Sequence, residues 1–259
     1  MARHDHDAGG DPALLAAKAV LREQVWAALD QPGIARFPRP ANRIPNFVGA
    51  EEAARLLAET DEWHAASTVK SNPDSPQWPV RTRALQDGKV VYMAVPRLAE
   101  ADPFFLLDPE QLADDPRKAS SIKGASRSAR TVGVDELEPV DLVVTGCVAV
   151  DESGARLGKG GGFSDLELAL AAEAGLVDAR TVVVTTVHEH QVLAAGVVPT
   201  TSHDIHVDVI VTPERVVRCR RPRGWRLPDV RWSELTDEKI AAIPLLTRMR
   251  GERAPRSTS

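Results

Sequence analysis

The residues of this chain best suited to chemistry fall in one ten-residue stretch, RLGKGGGFSD at 156–165. Within it, GKGGG places Gly158, Gly160, Gly161 and Gly162 around a single lysine. A backbone without Cβ atoms can come close to a ligand and turn its N–H groups inward. The stretch follows a strand candidate and opens a helix candidate, so the helix N-terminus adds a field that favours an anion. Lys159 inside the loop and Arg156 just before it supply cations for phosphate oxygens. Asp165, at the helix start, could hold Mg2+ or simply cap the helix. A tight turn accounts for two such glycines; an anion cradle accounts for all four and for their Arg, Lys and Asp neighbours. The spacing is not that of a Walker loop, because no Lys-Ser/Thr pair follows the last glycine.

The elements that must position this loop are marked by hydrophobic period and by turn residues. Residues 12–30 carry apolar side chains at helical spacing, with Pro12 near the start and Gln31-Pro32-Gly33 at the end. RFPRPANRIPNFVGA follows, and its three prolines forbid a regular helix or a central strand. It reads as an ordered loop pinned by Phe37, Ile44 and Phe47. A helix is expected over 50–60 and a strand over 65–70, closed by the turn-rich SNPDSPQWP. Further strands are expected at 90–95, 140–150, 181–187 and 206–212, rich in β-branched residues, with a helix at 165–175 between the middle pair. Residues 96–130 are mixed and include the basic, serine-rich RKASSIKGASRSAR. Apolar strands alternating with helices predict an α/β domain with a mostly parallel sheet covered on both faces, spanning 12–248. Ligands of such sheets bind where strand carboxyl ends meet helix starts. Residues 1–11 and 249–259 read as disordered tails.

Composition narrows the class. The chain has 259 residues, 43% of them hydrophobic, enough for a packed core. A net charge of -5 gives no global basis for nucleic-acid or acidic-membrane binding. Two cysteines, Cys147 and Cys219, need no disulfide framework, so a reducing cytoplasm is the expected compartment. The N-terminus lacks the apolar region of a secretory signal, and no apolar run reaches membrane-spanning length. His4 and His6 alternate with aspartates, but in a glycine-rich end they read as tail.

Three segments together carry a resemblance. VDLVVTGCVAVDESGARLGKGGGFSD at 140–165 is preceded by Lys18 and Arg22 in AKAVLRE and followed by Gln191 and by HDIHVDVIVT at 203–212. In order and in content they resemble the 5-formyltetrahydrofolate cyclo-ligase superfamily. The resemblance implies a cyclo-ligase-like fold of the NagB/RpiA/CoA-transferase type. It also implies ATP and Mg2+ as cofactors, and conversion of 5-formyltetrahydrofolate to 5,10-methenyltetrahydrofolate with release of ADP and phosphate. Carried over position by position, Lys18, Arg22, Arg156 and Lys159 hold phosphates, the last two in the catalytic role. Gly158, Gly160, Gly161, Gly162, Phe163 and Asp165 complete the nucleotide site, and Asp165 and Asp208 are the metal ligands. Lys18 and Arg22, four residues apart, share one helix face; without the match such a pair reads as a solvated face.

The departures point to one branch. Lys159 stands where the family usually has tyrosine, Phe163-Ser164 replaces a Tyr-Tyr pair, and Leu166 replaces an arginine. A GKG-type loop, the segment FPRPANRIPNFVGA and the stretch VKSNPDSPQ resemble the methenyltetrahydrofolate synthetase domain-containing proteins. The chain looks like the cyclo-ligase-like domain of that group without the RNA-recognition domain some members append, since little sequence follows residue 250. Replacement of the loop tyrosines supports an alternative function, a catalytically divergent nucleotide- or folate-binding module with a regulatory or RNA-linked role. A pterin would need an aromatic wall from Trp63, Trp78, Tyr92, Phe104, Phe105 or Phe163.

Two further groups invite chemistry. His188 and His190 flank Glu189 at a strand end, but their spacing is a poor zinc signature and they read as pocket or loop residues. Residues 215–226, RVVRCRRPRGWR, hold six arginines and a tryptophan. Such a patch could bind nucleic acid or a polyanionic folate tail, and more often is a solvated face offset by acids elsewhere.

Overall fold

Eighteen residues from Pro12 to Leu29 form α1, opened by Asp11, whose side chain accepts a hydrogen bond from the Ala13 amide. Pro12 costs nothing at the first helical position, where no intrahelical donor is needed. The computed structural model describes residues 11–253 apart from 96, 97, 99, 202 and 203; His4, His6 and His203 lie outside the described residues. The other helices are α2 (Ala50–Ala58), α3 (Asp61–Ala65), α4 (Trp78–Gln86), α5 (Pro116–Ala119), α6 (Ile122–Ser128), α7 (Phe163–Glu173), α8 (Asp237–Ala242) and α9 (Pro244–Arg253). The early strands are β1 (Thr68–Ser71), β2 (Val90–Ala94), β3 (Phe104–Leu107), β4 (Arg130–Val132), β5 (Leu142–Val144) and β6 (Ala149–Asp151). The later ones are β7 (Arg156–Leu157), β8 (Val182–Thr186), β9 (Val192–Leu193), β10 (Val209–Val211) and β11 (Val216–Arg218).

Among the described residues, eight strands form a mostly parallel sheet in the order β11-β10-β8-β5-β1-β2-β3-β4. The centre, β10-β8-β5-β1-β2, is parallel, and the flanking β11, β3 and β4 pair antiparallel. β5 and β10 are buried throughout and read as apolar runs, while β1 and β8 carry the buried polar residues Lys70, Ser71, Thr185 and Thr186. Val80, Ala84 and Leu85 of α4 cover one face together with α2; Leu166, Leu168, Ala169 and Leu170 of α7 cover the other. A small second sheet, β7-β6-β9, packs against Val25, Trp26 and Leu29 of α1.

This topology fixes where a ligand can bind. The chain leaves β1 for β2 through α4, and reaches β8 from β5 through α7. Strands β2 and β8 lie on opposite sides of the β1–β5 pair. Connections that diverge to opposite faces leave a crevice beyond the carboxyl ends of β1 and β5.

Several expectations change. Residues 140–150 are not one strand: β5 and β6 belong to different sheets, separated by a turn at Gly146. A Cβ on Gly146 would sit 2.8 Å from Gln77 Oε1 and from Ile44 Cγ2, so the turn is packed too tightly for any side chain. Residues 249–253 are the end of α9, not a tail, and Met249 packs on the core. The mixed segment 96–130 supplies β3, α5, α6 and the start of β4. In the proline-rich loop, Ile44 and Phe47 are buried as expected, but Phe37 is 94% exposed. No helix among the described residues is long and apolar enough to cross a membrane.

Candidate functional site

The glycine loop lies in the crevice and divides it. Gly160 and Gly162 adopt φ of +101° and +62°, a left-handed conformation that favours glycine. Gly162 then starts α7, pointing the amino end of an eleven-residue helix at the crevice. Arg22 reaches the loop from α1 and donates Nε to the Gly158 carbonyl at 2.8 Å. Arg156 is buried under the loop, donating Nη1 to the Gly146 carbonyl and Nη2 to Asp165 Oδ1, each at 2.8 Å. Its Nε is buried without a hydrogen-bond partner. Asp165 Oδ1 also accepts from the Ile205 amide at 3.2 Å, while its Oδ2 carries no hydrogen bond among the described residues. Lys18 is clamped by both oxygens of Asp204, at 2.9 and 2.8 Å.

Two cavities share Arg156, Gly158, Gly162 and Asp165 as their common wall. The first, about 190 Å³, has Lys18 and Arg22 beside the loop and apolar walls from Leu14, Leu166, Val230 and Leu235. The second, about 310 Å³, is mixed: Asn46, Asn72, Asp74, Lys159, Ser164 and Glu167 border it, with Ile44, Ile122 and Phe163. Lys159 is 47% exposed, and its Nζ lies 3.8 Å from Asp74 Oδ1. Asn72 donates Nδ2 to Ser164 Oγ at 2.7 Å. Two residues that depart from the family pattern, Lys159 and Ser164, therefore both meet the arc that follows β1.

That arc is held by a residue the sequence did not single out. Arg81 on α4 is 1% exposed and donates to the carbonyls of Asn72 (2.5 Å), Asp74 (3.2 Å) and Ser120 (3.0 Å). Burial, only partly offset by Asp74, lowers its pKa to about 10. A second buried device joins β1 to α7: Lys70 Nζ and Glu167 Oε2 are 2.8 Å apart. A polar NPD sequence directly after a strand, where α/β sheets bind ligands, was the available signal for this half of the site.

Other expected residues lie elsewhere. Asp208 precedes β10 at the opposite end of the sheet, where Oδ1 takes Arg221 Nε at 2.6 Å and Oδ2 takes the Val183 amide at 2.8 Å. Both of its oxygens are engaged there, and Asp208 borders neither cavity. Gln191 is a brace: its Nε2 donates to the carbonyls of Cys147 and Val148, and its Oε1 accepts from the His188 amide. His188 caps the following turn by accepting from the His190 amide, and burial, then the neighbouring His190, lowers its pKa. Neither histidine borders the two cavities. Among the described residues no three His, Cys, Asp or Glu side chains are grouped to hold a metal. In the arginine-rich segment, Arg215 pairs with Glu152 and Glu189, Arg218 with Glu62, and Arg221 with Asp208. Half of its arginines are thus neutralised within the chain, which weakens the case for a nucleic-acid face.

Comparison with known proteins agrees with this geometry. Methenyltetrahydrofolate synthase domain-containing protein of Mus musculus is 40% identical over 238 residues, covering 90% of this chain and 63% of the mouse protein. The Homo sapiens protein of the same name is 37% identical over 238 residues, covering 90% of this chain and 61% of that one. The chain therefore spans less than two thirds of the length of these curated relatives. The solution structure of Aquifex aeolicus 5,10-methenyltetrahydrofolate synthetase matches the fold with a TM-score of 0.51, over 81% of this chain and 96% of that one, at 21% identity. Residues 14–213 match the 5-formyltetrahydrofolate cyclo-ligase family. The match begins in α1, before Lys18, and runs through both walls of the crevice to the end of β10, and this chain belongs to that family.

Proposed function

We propose that the chain is an ATP- and Mg2+-dependent cyclo-ligase acting on 5-formyltetrahydrofolate or a related folate. The observation that carries this reading is the partition itself. A glycine loop at a helix N-terminus, flanked by Arg22 and Lys18, separates two cavities of mixed lining that share Arg156, Gly158, Gly162 and Asp165. The first suits a nucleotide: apolar side chains for a base, cations and backbone N–H groups for its phosphates. The second suits the acceptor. The residues fit Mg2+ as well, because Asp165 lies at the shared wall and its Oδ2 has no hydrogen bond among the described residues, so it would hold the ion.

When bound, ATP supplies the phosphoryl group that activates the formyl oxygen, Mg2+ spreads its charge, and the products are 5,10-methenyltetrahydrofolate, ADP and phosphate. The protein's contribution is placement and charge stabilisation. Arg22 holds the loop through Gly158 and brings its positive charge to the phosphate side of the loop. Arg156 holds Asp165 and the Gly146 turn in register. Lys159 reaches across from the loop to the acceptor side.

A second reading, a nucleotide- or folate-binding module without turnover, is favoured by one feature. The positions that usually carry loop tyrosines hold Lys159 and Ser164, which are bound to Asp74 and Asn72. Incubation with 5-formyltetrahydrofolate, ATP and Mg2+ separates the two, since methenyl product absorbs in the near ultraviolet. Turnover supports the enzyme; binding of ATP or folate without turnover supports the module; binding of neither removes both.

A further inference from the structure

The chain has five phenylalanines, five tryptophans and one tyrosine, and each has a place in the structure. Trp26, Phe47, Trp63, Tyr92, Phe104 and Phe105 are buried in the core. Trp225 lies 4.0 Å from the Arg221 guanidinium and Trp232 5.5 Å from that of Arg253. Trp78 borders a separate cavity, with Arg117 at 4.8 Å. Of the side chains first considered for a pterin wall, only Phe163 borders the second cavity. One aromatic remains, Phe37, and it is 94% exposed.

Phe37 is not on a loose end. The neck of its loop is closed by the Ala35–Phe47 bridge and by the Arg36 amide donating to the Asn46 carbonyl at 2.9 Å. Trp26 Nε1 donates to the Arg43 carbonyl at 3.0 Å, Ile44 is buried beneath, and Pro38 and Pro40 stiffen the tip. The next residue, Pro38, lines the second cavity, as does Ile122, itself 43% exposed. A well-anchored loop thus holds an uncovered ring one residue from the wall of a cavity that has, among the described residues, one other Phe, Trp or Tyr in its lining. Asn46, Asn72, Ser164 and Glu167 in its lining offer hydrogen bonds for the edge of a planar ligand, and the ring faces of such a ligand gain from aromatic cover.

We propose that Phe37 is a specificity-determining residue of the acceptor site, the second aromatic face for a planar heteroaromatic ligand seated against Phe163. The ring turns over the ligand about its side-chain torsions, which its exposure leaves unhindered. The inference rests on the reading of the second cavity as the acceptor site.

The test is calorimetric binding of 5-formyltetrahydrofolate in the presence of a non-hydrolysable ATP analogue, for wild type, Phe37→Ala, Phe37→Leu and Phe37→Trp. Loss of one stacking face weakens folate binding about tenfold in Phe37→Ala. Phe37→Leu falls between, and Phe37→Trp retains the affinity. Analogue affinity and melting temperature stay at wild-type values, because the free protein buries almost none of this ring. Wild-type folate affinity in Phe37→Ala overturns the assignment, and so does a Phe37→Leu variant that binds as tightly as wild type. A drop in oligomeric mass in Phe37→Ala with folate binding intact assigns the ring to a subunit contact instead. Absence of folate binding by wild type itself, with the analogue bound, fails the acceptor reading and the Phe37 assignment together.

Discussion

The two halves of the crevice are built differently. The half proposed for the nucleotide presents backbone and helix-borne cations: glycines, the start of α7, and Arg22 and Lys18 from α1. The acceptor half is a side-chain framework, in which Arg81 shapes the Asn72–Asp74 arc, Asn72 meets Ser164, Asp74 faces Lys159 and Lys70 pairs with Glu167. A phosphate is recognised by charge and by N–H groups that any glycine loop can offer, so that half needs little from the rest of the fold. An acceptor is recognised by shape and by particular donors and acceptors, and those must be held from several elements at once. Two departures from the family's loop pattern, Lys159 and Ser164, meet the Asn72–Asp74 arc, while a third, Leu166, walls the first cavity.

If that contrast is correct, the acceptor half should fail first when its internal framework is cut. Lys70→Met strands the Glu167 carboxylate between β1 and α7 and should cost about 3–5 kcal/mol in urea unfolding. Adding Glu167→Leu should return stability to within about 1 kcal/mol of wild type, since an apolar pair replaces an ion pair at little cost. A single variant as stable as wild type would mean that the pair does not hold the two elements together. On the nucleotide side, Arg22→Ala removes a charge-assisted bond to the loop and should weaken ATP about tenfold in equilibrium binding. Folate affinity should not move; a parallel loss of both ligands would erase the division between the halves.

Lys159→Ala probes the boundary. Its ion pair is long and half exposed, so stability should change by less than about 0.5 kcal/mol. Its turnover should fall about tenfold if the side chain stabilises developing charge on the acceptor. Unchanged turnover would remove Lys159 from the chemistry. The smallest effect belongs to His188, outside both cavities. Its folded pKa lies below the ordinary 6.5, so the unfolded chain takes up the proton first as pH falls. Stability should therefore be level above that pH and decline below it, and His188→Asn, which keeps a capping acceptor, should flatten the decline in a melting-temperature series. Ligand affinities should be untouched by the change.

Much of the nucleotide half was legible in the sequence because its determinants are local. A glycine run between a strand and a helix states its own conformation, and Lys18 and Arg22 are placed on one face by helical period alone. The acceptor half was not legible in this way. Arg81 reads as a helix arginine until its carbonyl partners are seen, and Asn72 and Asp74 read as turn residues. The run 140–150 looked like one strand because Gly146 shows no reason to bend until Gln77 and Ile44 are packed on it. Asp208 fitted a motif by spacing, yet lies at the wrong end of its strand to share the crevice. The arginines at 215–226 looked like a surface charge run, and Glu62, Glu152, Glu189 and Asp208 meet them from four separate segments.

What the sequence determined by itself is the strand–helix alternation and the glycine run between a strand and a helix, since period, propensity and spacing act within one element; Lys18 and Arg22 drew their weight from the family resemblance. Tertiary structure alone decided which polar side chains face one another across the crevice and which aromatic rings the core consumes. Those outcomes depend on strand order, and it is the reversal at β1 and β5 that brings residues 22, 72, 81 and 165 to one place.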